Sequence, residues 1–111
     1  MKIENHPNFV VLEDEKDDII DFAAFIEKQI PSKYKGQNVV LNLLKYNAMD
    51  LPQLLQFLKT SNLHRKTKQS FVIVNDALDF DDIPFEMIVV PTVQEAGDII
   101  EMEEIERDLG F

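Results

Sequence analysis

Few residues in this chain have the types and spacing that chemistry requires. The histidines are His6, in the turn-like "NHPN" beside Pro7, and His64, inside the basic stretch "KTSNLHRKTKQ" (59 to 69). Neither belongs to a local Ser-His-acid signature, and a lone histidine in polar sequence is expected to be solvated. Cysteine is absent, which removes thiol catalysis, disulfides and Cys-ligated zinc together. No H-x-H-x-D-H motif appears, so a metal-dependent nuclease is excluded and no metal site is expected. Gly36 stands alone, without a P-loop or G-x-G-x-x-G, so neither a phosphate cradle nor a cofactor is expected. The run "DALDFDDIPFE" gathers Asp76, Asp79, Asp81, Asp82 and Glu86. It lacks the D-x-D-x-D-G register and the bidentate acid of a calcium loop, and reads as helix caps and surface acids. The chain reads as non-enzymatic.

One segment still has the spacing of a site. In "KYNAMDLPQLLQFL" (45 to 58) a strand ends near Leu44 and a helix begins at Asp50. Gln53 follows Asp50 by three, which has the form of a capping box, and Pro52 is tolerated in the first turn. Leu51, Leu54, Leu55 and Leu58, flanked by Phe57, form an apolar stripe for packing this helix on a sheet.

The elements that position this segment follow from composition and periodicity. With 111 residues and 45 % apolar content the chain can bury a core of its own, and it reads as one domain, 1–111. Its longest apolar runs, "FVIV" and "MIVV", are far shorter than the roughly 20 residues that cross a bilayer, and no secretory signal opens it. A cytoplasmic, membrane-free protein is expected. The net charge of −10 speaks against nucleic acid as a partner. Basic residues concentrate between Lys28 and Asn75, where Asp50 is the only acid, and acids crowd the flanking segments. This polarity suits a solvated surface, with an interaction face as the alternative.

"KIE" and "FVVLED" read as two strands joined by a turn. A helix is expected from about 17 to 29, with Ile19, Phe22, Ala23, Ile26 and Ile30 on one face, stopped by Pro31. "NVVLNLL", "SFVIVN" and "EMIVV" read as further strands, the first two continuous enough to be central. The acidic run supplies a turn or a single helical turn. Thr92 and Glu95 form a second capping box. Beyond it Val93, Ala96 and Ile100 point one way, whereas Ile99, Met102, Ile105 and Leu109 point nearly the opposite way. Gly97 sits at the change, so a short helix, a kink, and a restarted acidic helix over about 98–109 are expected. The stripe Ile99, Met102, Ile105 and Leu109 is expected to pack on a second chain or a partner. The predicted fold class is α/β: a small mixed, mostly parallel sheet of four to five strands with helices, plus the C-terminal acidic helix.

The order of elements and the strand-to-helix segment together resemble the STAS domain, the fold of bacterial anti-sigma-factor antagonists, over roughly residues 2 to 97. That family has a strand of the form V-L-D-L, a loop of about six residues, and D-S-S-G-L opening a helix. "VLNLLKYNAMDLPQLL" runs parallel to it, with Asn42 for the strand's acid and Asp50 for the loop's aspartate. "SFVIVN" resembles the next family strand, and "IVVPTVQEA" resembles the family's last strand and helix start, T-x-x-E-A. The resemblance implies a regulatory protein–protein interaction module whose partner is another protein, such as an anti-sigma-factor-like kinase. Its contact face would comprise Tyr46, Asn47, Asp50, Gln53, Gln56, Lys59 and Thr60. Family switches are phosphorylated on the serine after the aspartate, where about two negative charges repel the partner. Here Leu51 and Pro52 follow Asp50, and no Ser, Thr or Tyr lies between Asn47 and Pro52, so that switch is expected to be absent. Two alternatives stay open: a regulator phosphorylated elsewhere, at Thr60 or Ser61, and a homodimer built on the C-terminal helix.

Overall fold

The computed structural model describes residues 1–110. Four of the five strands are parallel: β2 (Val10–Glu13), β3 (Val39–Asn42), β4 (Phe71–Val74) and β5 (Ile88–Val90), with β1 (Lys2–Asn5) antiparallel at the edge. Their spatial order, β1-β2-β3-β4-β5, equals their chain order. This is the α/β class and mixed sheet that the sequence predicts.

Strand alternation divides the core into two layers, because successive side chains point to opposite faces. On one face Val10, Leu12, Val39, Leu41, Phe71 and Ile73 pack with Phe22, Ile26 and Ile30 of α1 (Ile19–Lys33) and with Phe57. On the other, Val11, Val40, Val72 and Val74 meet Ala96 and Ile100 of α4 (Val93–Asp108). Both faces of β3 and β4 are therefore covered, which is why these strands read as unbroken apolar runs.

Three helix expectations need correction. Helix α1 begins as expected, with the Asp18 carboxylate accepting from the Ile20 and Asp21 amides, but it runs through Pro31 to Lys33. Pro31 leaves the Glu27 carbonyl without its helical donor on an exposed flank. Buried Ile30 and Tyr34, joined by the Tyr34 N–H donating to the Ile30 carbonyl, hold the last turn in place. Tertiary packing here outweighs the local preference.

The single helix expected after Asp50 is two: α2 (Leu51–Leu55) and α3 (Leu58–Lys66). At the junction the Gln56 and Phe57 amides donate to Gln53 and Leu54, a tightened turn that rotates the following helix. The line facing the core becomes Leu54, Phe57, Ser61 and His64, whereas Leu55 is 39 % exposed. Polar residues occupy half of that line, so an apolar-stripe reading ends too early.

The C-terminal segment is one uninterrupted helix. Ala96 and Ile100 are buried and Met102, Ile105 and Leu109 exposed as expected, but Ile99, assigned to the outward stripe, is half-buried against the sheet, and the helix runs on through Gly97. Gly97 has a packing role: a Cβ there would meet the Phe9 ring at 3.3 Å. Phe9 closes that end of the second layer, and glycine lets the ring lie this near the helix backbone without the shift of a few tenths of an ångström that a Cβ would require.

Candidate functional site

The loop singled out by its sequence lies beyond the carboxyl ends of β2, β3 and β4, the end of an open parallel sheet where ligands and partners are usually met. Its backbone is tied down from several sides. Asn75, just past β4, donates its amide to the Leu43 carbonyl (2.9 Å) and the Tyr46 carbonyl (3.1 Å), while its oxygen accepts from Ala77. Two successive turns, Tyr46 N–H to Leu43 and Met49 N–H to Tyr46, carry the chain to buried Met49. Asn42 accepts from the Leu44 amide.

Across the loop, Asp14 at the end of β2 is buried with both carboxylate oxygens engaged: one accepts from the Lys16 amide, the other from the Tyr46 hydroxyl. Burial, then the Asp14 hydrogen bond and the negative charges of Asp14, Asp17 and Asp18, push the Tyr46 phenol above its ordinary range. The hydroxyl is consequently held as a donor at all physiological pH. Lys45 reaches the Asp14 and Lys16 carbonyls and pairs with Asp17 at 3.2 Å. A cleft of about 400 Å³ beside this network is walled by Met1, Asp14, Lys16, Phe22 and Phe25. Four carboxylates border it: Asp14 is bonded to Tyr46 and Lys16, Glu15 pairs with the N-terminal ammonium at 3.0 Å, Asp18 caps α1, and Asp21 stands on the first turn of that helix.

At the helix start the capping box forms. The Gln53 amide donates to the Asp50 carboxylate, and the Asp50 amide donates to the Gln53 side chain, both at 3.0 Å. The predicted site residues thus separate into two groups. Asn47, Asp50, Gln56 and Lys59 are exposed, and Gln53 is half-buried in the cap. Tyr46 is half-buried, and its hydroxyl faces Asp14. Lys59 leans across to α1, where it pairs with Glu27 at 3.1 Å. Thr60 does not belong to the exposed side: it is buried, as is Ser61. A kinase can reach neither hydroxyl without opening α3, which weighs against both as phosphate acceptors.

His64 also departs from its reading as a solvated residue. It is 3 % exposed, its Nε2 lies 2.6 Å from the Gln37 carbonyl, and its ring meets Phe71 edge-on. Burial lowers its pKa below the usual histidine range, with the Gln37 hydrogen bond opposing. The ring is thus a neutral core residue that donates to the turn before β3.

The opposite end of the sheet holds a polar network that the sequence does not advertise. Asn38 donates to the Asn8 carbonyl (2.9 Å) and accepts from the Ser70 amide (2.7 Å) and Arg107 (3.3 Å). The Ser70 hydroxyl donates to Glu103 at 2.6 Å, and Arg65 grips the same carboxylate at 2.7 Å. Burial works to raise the Glu103 pKa, but the Arg65 and Ser70 hydrogen bonds, with the charges of Arg65 and Arg107, hold it below the ordinary range. Only the residue types were visible beforehand; their partners lie about 30 or more positions away and needed the fold. The same holds for charge, because Lys45, Lys59 and Arg65 of the basic middle each pair with an acid from a flanking segment.

The described residues contain no group of three or more His, Cys, Asp or Glu arranged to hold a metal ion, and no helix long and apolar enough to cross a membrane. Compared with known protein families and with curated proteins, the chain matches none.

Proposed function

We propose that this chain is a non-catalytic protein–protein interaction module of the STAS-like kind, lacking the serine switch, and that it meets its partner through the loop from Lys45 to Asp50 and the start of the following helix. One observation carries the reading: Asp14, Lys45, Tyr46 and Asn75 are bonded so as to hold the loop, while Asn47 and Asp50 on it and Gln56 at the end of the next helix are exposed. A base or nucleophile would have to be free to act; a contact surface has only to be presented rigidly. Lys16, Lys45 and the Tyr46 hydroxyl serve the presentation, and Leu51 and Pro52 after Asp50 leave no acceptor for the family's phosphate.

Affinity capture from native cells with wild type and with an Asn47→Arg, Gln56→Arg double variant tests this. Both side chains are exposed, so the fold should be unaffected. A specific protein retained by wild type and lost with the variant supports the face. Retention of the same proteins in the same amounts by both would contradict it.

A further inference from the structure

Helix α4 turns inside out along its length. Its first half presents Ala96 and Ile100 to the sheet, both fully buried. In its second half the sheet-facing residues are polar, with Glu103 and Arg107 bonded to Ser70 and Asn38 and Glu104 accepting from the Asn8 amide. The apolar residues there face outward: Met102 is 57 % exposed, Ile105 54 % and Leu109 68 %, while Ile99 is half-buried against the sheet. Positions i, i+3 and i+7 fall on one side of a helix and are the spacing by which a helix anchors in an apolar groove. A helix needing only its own sheet gains nothing from this arrangement.

We propose that the outer face of α4 docks an apolar helical surface rimmed with lysine or arginine on a different protein. The rim of the stripe decides the occupant. Asp98, Glu101, Glu106 and Asp108 surround it, all exposed, and the nearest cation on the helix, Arg107, is turned inward. Pairing α4 with α4 of a second copy would set acids against acids, and anionic lipid is repelled for the same reason. A basic rim is attracted, and it meets a surface already fixed by the Glu103 and Arg107 contacts, so little ordering is required on binding. This surface lies on the sheet face opposite α1 and α3, so it does not depend on the loop reading.

A synthetic 18-residue helical peptide with a leucine stripe flanked by lysines, against a scrambled peptide of equal composition, tests the proposal by fluorescence anisotropy on the full chain. The striped peptide should bind at least about tenfold tighter than the scrambled one, and the difference should shrink in high salt, where charge attraction is screened. Ile105→Asp and, separately, Met102→Asp should abolish the preference with unchanged circular dichroism, and Asn47→Arg should leave it intact. Equal binding of the two peptides, or a preference that survives both aspartates, overturns the proposal. So does a wild-type dimer in light scattering that Ile105→Asp dissolves, because the occupant would then be a second copy.

Discussion

Both ends of the parallel strands are built from polar side chains, and they differ in what is left over. At the amino end Asn38, Ser70, Glu103, Arg107 and Arg65 satisfy one another and pin α4 to the sheet. At the carboxyl end Asp14, Tyr46, Lys45 and Asn75 are bonded just as fully, yet they lie beneath a loop whose Asn47 and Asp50 point into solvent. At the amino end the bonds run between the sheet and α4, so that network fixes the fold. A closed network under exposed side chains holds those side chains in one arrangement, which is what recognition needs.

The largest effect separating the two ends is expected from Asn38→Ala. It strips the Ser70 amide, the Asn8 carbonyl and Arg107 of a partner at a buried site, and should cost about 2–4 kcal/mol by urea denaturation. Asn75→Ala should cost somewhat less, about 1–3 kcal/mol, because it strips partners from neutral backbone groups only, whereas Asn38 also holds the Arg107 guanidinium. Its signature should be local, with faster amide exchange at Tyr46 and Met49 and unchanged protection in α4. Equal loosening of both regions by both variants would erase the distinction between the ends.

Below neutral pH the amino end should also be the more sensitive one. The folded state holds His64 neutral, so the unfolded chain binds more protons once pH falls below about 6.5. Stability should decline from there downward, and His64→Gln should flatten that part of the profile. Glu103 has a depressed pKa when folded, so its contribution is present above the ordinary carboxylate range and is lost at lower pH, as the carboxylate becomes protonated. The smallest effect belongs to the exposed carboxyl end: Asp50→Ala removes a cap and should cost about 1 kcal/mol, with Asp50→Asn retaining most of it.

Sequence patterns carried the strands and the layer structure, because alternation and continuous apolar runs are local signals of which faces are covered. The capping box at Asp50 and the N-cap at Thr92 were equally legible, since their partners sit three residues away, but at Thr92 the box stays half-made: Glu95 accepts from the Thr92 hydroxyl rather than from its backbone amide. The failures share a cause: the deciding contact was distant. Pro31 is carried by the packing of Ile30 and Tyr34, Gly97 by Phe9, and the buried line of α3 by Ser61 and His64, whose polarity suggested solvent. At the candidate site the exposed residues were named in advance. Asp14 and Asn75, which hold them, were not, because nothing local distinguishes a carboxylate or amide that will be buried by a neighbouring strand.

Site-specific photocrosslinking in native cells tests the central claim most directly, with the probe placed at Asn47 on the carboxyl-end loop or at Gln37, an exposed position at the amino end. A discrete crosslink to another protein from position 47, and none from position 37, is the expected result. A crosslink from position 37 with none from position 47 would contradict the account.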